Sequence, residues 1–194
     1  MVSDSRTLPG DLAAAEALDA LDALIRRAQA GEVQAFEDLL DRFEARALLI
    51  ARGMGASRHD AEDIAQEVFL KLFRYIGSYR TGRSFKSYFY RIVINASRDH
   101  LSRMAPAGQA SLDEIDEVAS PPEGRASSED VELLRRALKE LPAREREVVI
   151  LRDLQGLSTW EVARTLMISP ITVRRHSSRA LAHLRKLLNP ADPV

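Results

Sequence analysis

The sequence predicts an all-α protein, two small helical domains joined by a flexible acidic linker, with a helix-turn-helix as the C-terminal domain. Three observations lead there. Apolar residues recur at helical spacing through two long blocks of the 194-residue chain. Between them, residues 104–128 (MAPAGQASLDEIDEVASPPEGRASS) carry Pro106, Pro121, Pro122 and Gly124, show little periodicity and are long for an internal loop, which marks a domain boundary. Charge is segregated: residues 1–23 hold one basic and five acidic side chains, 24–103 fourteen and ten, 104–130 one and seven, and 131–194 twelve and seven. Two basic periodic blocks therefore alternate with two acidic irregular ones, and the net charge of −1 conceals the footprint that nucleic acid favours.

The elements follow in order. Residues 1–23 form an acidic N-terminal extension. The first domain, 24–103, opens with helices over 24–30 and 33–53, the second presenting Phe36, Leu39, Leu40, Phe43, Ala47, Leu48 and Ile50 on one face. Gly53, Met54 and Gly55 break that run. A helix begins near His59 and Asp60 and runs to Ile76, with Ala61, Ile64, Ala65, Val68, Leu72, Phe73 and Ile76 facing in. A loop, 77–83, leads to Ser84, which caps a helix to about Arg103 with Phe85, Phe89, Ile92, Val93 and Ala96 on its inner face. In the second domain, 129–188, one helix spans 129–140, Pro142 opens another over 143–154, and Gly156 ends it. Ser158 and Glu161 make a capping box for a short helix, 159–166. Met167 and Ile168 turn the chain, Ser169 caps the last helix, and Pro170 takes its first position. Val173, Ala180, Leu181 and Leu184 form its buried stripe, and 189–194 is a tail.

Several classes of function are excluded at this stage. With no cysteine the chain has no disulfide and no thiolate metal or redox site, which fits a reducing, cytoplasmic setting. The acidic N-terminus lacks the pattern of a signal peptide, and no stretch approaches the ~20 apolar residues of a membrane span, so no membrane insertion is expected. No nucleophile–base pair, phosphate-cradling glycine loop or zinc motif appears, and His59, His100, His176 and His183 are scattered. The chain reads as a protein without catalytic residues, metal or cofactor.

Three constellations remain. Two short helices joined by a tight turn, the second basic, spell a DNA-reading unit. Residues 171–186 hold five basic side chains and no acid, and Thr172, Arg174, Arg175, Ser178 and Arg179 lie largely off the buried stripe, where arginines can meet base edges and hydroxyls can meet phosphates. The segment 71–103 holds eight basic residues and one acid, Asp99, interleaved with aromatics. Basic charge tracks a phosphate backbone and aromatic faces stack on unpaired bases. Phe73, Phe85 and Phe89 fall on the apolar stripe and read as core, whereas Tyr79 sits in a loop among glycines and arginines. Finally, Asp60, Glu62, Asp63 and Glu67 crowd the start of one helix; they suit its dipole, and Asp63, Gln66 and Glu67 also make a polar face able to dock a basic protein.

The stretches DAEDIAQEVFLKLF (60–73) and SFKSYFYRIVIN (84–95) resemble region 2 of the extracytoplasmic-function sigma factors of bacterial RNA polymerase. LPAREREVV (141–149) and SPITV (169–173), within 141–187, resemble their region 4. The resemblance implies a promoter-specificity subunit of RNA polymerase. Asp60, Asp63, Gln66 and Glu67 would dock on the coiled coil of the beta-prime subunit, and the beta flap would be a second contact on core polymerase. Tyr79, Arg80, Arg83, Tyr90, Arg91, Asn95 and Arg98 would melt and read the −10 element, Tyr79 and Asn95 helping to hold a flipped-out base. Ser169, Thr172, Arg174, Arg175, Ser178 and Arg179 would read the −35 element as duplex. The linker would thread the polymerase interior, and an anti-sigma factor would be a further partner. Departures from the family pattern are Tyr88 for tryptophan, Met167 and Ile171 for glycines and His176 for arginine. Met167 calls for some turn other than the left-handed glycine geometry. The alternative class is a stand-alone helix-turn-helix regulator.

Overall fold

The computed structural model describes the backbone over residues 9–80, 84–104 and 128–188 and the side chains over 17–80, 84–104 and 129–188. Arg83, the linker 105–127 and the tail 189–194 lie outside the described residues. Eight α-helices follow one another, with no strand among the described residues: α1 (Pro9–Gln29), α2 (Val33–Met54), α3 (Arg58–Tyr75), α4 (Phe85–Met104), α5 (Ser128–Glu140), α6 (Ala143–Val149), α7 (Thr159–Leu166) and α8 (Pro170–Leu188). A single 3-10 turn, Ile76–Ser78, follows α3, and a π-helical segment, Ile150–Leu154, continues α6.

The first module packs α2 against α3 and α4, with α1 along α2 and over the 3-10 turn. Its centre is Phe43, whose ring lies 5.2 Å from that of Phe85 and 4.8 Å from that of Phe89. Such aromatic pairs contribute about 0.5–1.5 kcal/mol each beyond their buried area. α1 begins at Pro9, so the helix expected from residue 24 reaches well into the acidic extension. Leu21, Ile25 and Ala28 anchor it in the core. α3 starts with a capping box the sequence pattern did not single out: the Ser57 hydroxyl accepts from the Asp60 N–H at 3.1 Å, and the Asp60 carboxylate accepts from the Ser57 N–H at 3.4 Å and from its hydroxyl at 2.7 Å. A cap of this kind is worth about 1 kcal/mol.

In the second module α6, α7 and α5 all pack on α8. The helix expected over 143–154 changes pitch at Ile150, and the wider turn carries consecutive Ile150 and Leu151 into the core. The capping box of Ser158 and Glu161 is present as read. Met167 corrects an expectation: it takes the left-handed geometry itself, at φ 56° and ψ 43°. Its side chain, 76 % exposed, meets nothing that forbids this. The conformation costs roughly 1 kcal/mol relative to glycine. The buried stripe of α8 is Val173, Ser177, Ala180 and Leu184, and Leu181 stands outside it, exposed.

One large apolar cluster runs through both modules, while a smaller one, around Leu138, Leu141, Ala180 and Leu184, belongs to the second module. α7 lies on α4, and α5, α6 and the π segment lie on α2. Gly53, expected to break α2, is instead inside the helix and buried, while Gly55 ends it at φ 109°. A β-carbon at Gly53 would stand 3.1 Å from Cδ1 of Ile150, so the missing side chain lets the modules meet. Arg146 spans the same joint. It donates to the Met54 carbonyl at 2.7 Å on one side and to the carbonyls of Leu138, Lys139 and Leu141 on the other.

Candidate nucleic-acid interface

Two helices carry the expected DNA-facing residues. On α8, the Ser169 hydroxyl accepts from the Thr172 N–H at 3.1 Å and shares a hydrogen bond with the Thr172 hydroxyl at 2.8 Å. The cap thereby fixes the start of the helix. Arg174, Arg175, Ser178 and Arg179 are exposed along one side, and among the described residues the three arginines have no acidic partner. Ile171 is exposed beside them, and Ser177, on the opposite side, accepts from Arg152. A basic, ordered and unoccupied helix face of this kind fits a major groove.

α4 holds the other set. Asn95 is exposed, and Arg91 and Arg98 are partly so. The Arg98 guanidinium is clasped by Glu147 of α6: Nε donates to Oε1 and Nη2 to Oε2, both at 2.6 Å. Arg98 Nη1 also donates to Asn95 Oδ1 at 3.3 Å. Glu147 is only 1 % exposed and takes a further bond from Arg144 at 3.1 Å. Arg91 lies against Met167, Nη1 to Sδ at 4.0 Å. The bidentate pairing Arg98 makes is the geometry it would offer a phosphate. Glu147 was not singled out from sequence; it stands directly before the apolar run Val148–Leu151, where a carboxylate that becomes buried demands a basic partner. Glu145 finds its own in His183, 2.7 Å away.

The aromatics sort differently from the expectation. Tyr79 is 7 % exposed, its ring packed edge-on to Phe85 at 5.3 Å and tilted against Tyr88 at 5.1 Å. Arg80 beside it is exposed. Tyr90 is 1 % exposed, in the core that α4 shares with α7, and burial raises the pKa of its hydroxyl. In this arrangement neither ring presents a face to solvent. Phe73, expected in the core, is 65 % exposed and touches only the rim, edge-on to Phe36 at 5.2 Å.

On α3, Asp63 and Gln66 are exposed. Asp60 and Glu67 are engaged at home. The hydroxyl of Ser57, and after it His100 at 2.9 Å, hold the Asp60 carboxyl below its ordinary value. Lys71 at 2.7 Å, helped by Arg103, does the same for Glu67. Of the four residues expected to dock, Asp63 and Gln66 are thus the exposed ones. Among the described residues no three His, Cys, Asp or Glu side chains are grouped to hold a metal, and no helix is long and apolar enough to cross a membrane.

Residues 34–105 match the family model of sigma-70 region 2, and residues 131–184 that of sigma-70 region 4. Together these cover more than half of the chain, in the order of the two helical modules, and make it a protein of the sigma-70 class. It is 34 % identical over 159 residues to the ECF RNA polymerase sigma factor SigM of Mycobacterium tuberculosis, covering 82 % of this chain and 80 % of that one. It is 32 % identical over 180 residues to the ECF RNA polymerase sigma factor ShbA of Streptomyces griseus, covering 86 % and 94 %. Among solved structures it resembles CnrH in complex with the cytosolic domain of CnrY, with a TM-score of 0.70 and 25 % identity over 88 % of this chain and 98 % of that one. The chain belongs to the extracytoplasmic-function RNA polymerase sigma factors, which serve transcription initiation.

Proposed function

We propose that the chain works in the cytoplasm by docking the α3 face on the coiled coil of the beta-prime subunit of core polymerase. Asp63 and Gln66 make the first contact; Asp60 and Glu67 exchange their internal partners for basic residues of the polymerase. The second module contacts the beta flap. α8 enters the major groove of the −35 element, with Arg174, Arg175 and Arg179 on base edges and phosphates and Ser169, Thr172 and Ser178 on the backbone. α4 and the loop before it take the opened −10 strand. Arg80, Arg83, Arg91 and Arg98 follow its phosphates, Asn95 and Tyr79 hold an extruded base, and Tyr79 leaves its ring cluster to do so. Tyr90 becomes reachable when α7 lifts from α4.

The observation that carries this reading is the bare arginine face of α8, and the bidentate pairing of Arg98, on α4, with a carboxylate supports it. Promoter binding then requires the modules to part, and polymerase, which holds them on separate surfaces, supplies the means. An anti-sigma factor fits the same logic, since a partner that keeps the modules packed keeps Arg98 on Glu147. Transcription in vitro with core polymerase tests the proposal. Promoter-specific initiation is expected only when the chain is added. Tight duplex binding by the chain alone, with no effect on polymerase, would instead favour a stand-alone regulator.

A further inference from the structure

We propose that Gln29, in the last turn of α1, is a positioning residue for the loop that carries Tyr79. The inference rests on the assignment of that loop to the −10 element. Gln29 Nε2 donates to two main-chain carbonyls at once, that of Ile76 at 2.8 Å and that of Tyr79 at 2.7 Å. These carbonyls bracket the 3-10 turn, which is closed by the Tyr79 N–H on the Ile76 carbonyl at 3.0 Å and by the Ser78 hydroxyl on the Tyr75 carbonyl at 2.7 Å. A primary amide has two N–H groups, so one nitrogen serves both acceptors.

The base from which Gln29 reaches is itself fixed. Leu21, Ile25 and Ala28 bury one side of α1. Immediately after Gln29 the chain turns back through Gly31 at φ 88°, with the Glu32 N–H on the Arg27 carbonyl and the two side chains paired. Tyr79 is therefore held twice, its ring by Phe85 and Tyr88 of α4 and its backbone by α1. An unpaired base can displace the ring. The amide keeps the backbone at Tyr79, and with it the path of the chain toward Arg80, in place while that exchange occurs. Gln29 lies ahead of the residues that match region 2, so a helix of the same module but outside the matched residues sets the geometry of the loop.

The test uses holoenzyme rebuilt from core polymerase and the full chain, on a promoter it recognises. Two readouts matter beside core affinity: the rate at which −10 thymines become permanganate-reactive, and the preference for the captured base on a pre-opened template. Gln29→Glu keeps the size but sets oxygens against both carbonyls. It is expected to slow opening about tenfold and to erase the base preference, with core affinity unchanged within about twofold. Gln29→Lys, which restores a donor of similar reach, recovers most of both. Tyr79→Ala is the reference. If Tyr79→Ala loses the preference and Gln29→Glu keeps it, the positioning role is wrong. A variant that loses core affinity and activity on both templates alike overturns it too, because the amide is then only structural. If Tyr79→Ala itself keeps the preference, the assignment of the loop has failed.

Discussion

On α8 the arginines stand open, with no acidic side chain set against them among the described residues, whereas on α4 Arg98 is clasped by Glu147 and Arg91 lies under Met167. Both helices are basic, and both carry residues of the type that contacts DNA. What separates them is the second module, which leaves the basic face of α8 exposed while covering the arginines of α4. On the proposed reading, charge in the sequence marks where nucleic acid binds, and packing decides when.

The comparison can be broken most strongly on α8. Replacing Arg174 and Arg175 together by alanine is expected to lower initiation from a −35-dependent promoter by about a hundredfold, each well-placed arginine being worth roughly 1–3 kcal/mol, with core affinity retained. Titration of rebuilt holoenzyme on promoter DNA checks it, and equal activity of variant and parent would remove α8 from −35 reading. On α4 the gain should run the other way. Glu147→Gln, which keeps the shape of the buried side chain, is expected to raise the affinity of the free chain for a single-stranded −10 oligonucleotide about tenfold, because a charge-assisted pair no longer competes for Arg98. Anisotropy measures this, and the affinity for −35 duplex should not move.

Gly53→Val separates the modules without touching a charge. The added side chain meets Ile150 and should weaken the joint by roughly 1 kcal/mol or more. The distance between fluorophores on α3 and α8 is expected to lengthen; an unchanged distance would mean the core joint absorbs the intrusion. Met167→Gly relieves the left-handed turn and should stabilise the second module by about 0.5–1 kcal/mol in thermal unfolding. The smallest effect concerns pH. The Asp60 carboxyl is held below its ordinary value in the folded chain, so its stabilisation is complete above the usual carboxylate range, about pH 4, and is lost as pH falls through the lower folded value. Asp60→Asn should flatten that part of the stability profile, and an unaltered acid limb would deny Asp60 the role.

Within each module the sequence was largely readable, because helix faces repeat locally. The capping boxes obey the same local rule, although the one at Ser57 has aspartate in the place of the usual glutamate and so departs from the common pattern. What local periodicity does not show has a common cause. Tyr90 is buried because α7 covers α4 from some seventy residues away. Gly53 is a contact rather than a break because Ile150 comes to meet it. Arg98 is occupied because Glu147 lies beyond the linker. Phe73 and Leu181 err in the opposite sense, being apolar residues at the margin of a stripe that no neighbour reaches. Periodicity shows that a face exists, and the chain elsewhere determines what lies on it.

Arg146 gives the joint a polarity of its own. α2 and α5 end close together, and each end gathers partial negative charge on carbonyls that have no further turn to satisfy them. Two such ends would repel. One guanidinium between them converts the repulsion into adhesion, and its planar fork serves several acceptors at once in a way a lysine could not. Cohesion of the two halves is in this sense partly ionic at its rim, where Arg146 meets the end of α2 and Arg98 meets Glu147, even though the surface they share is oily.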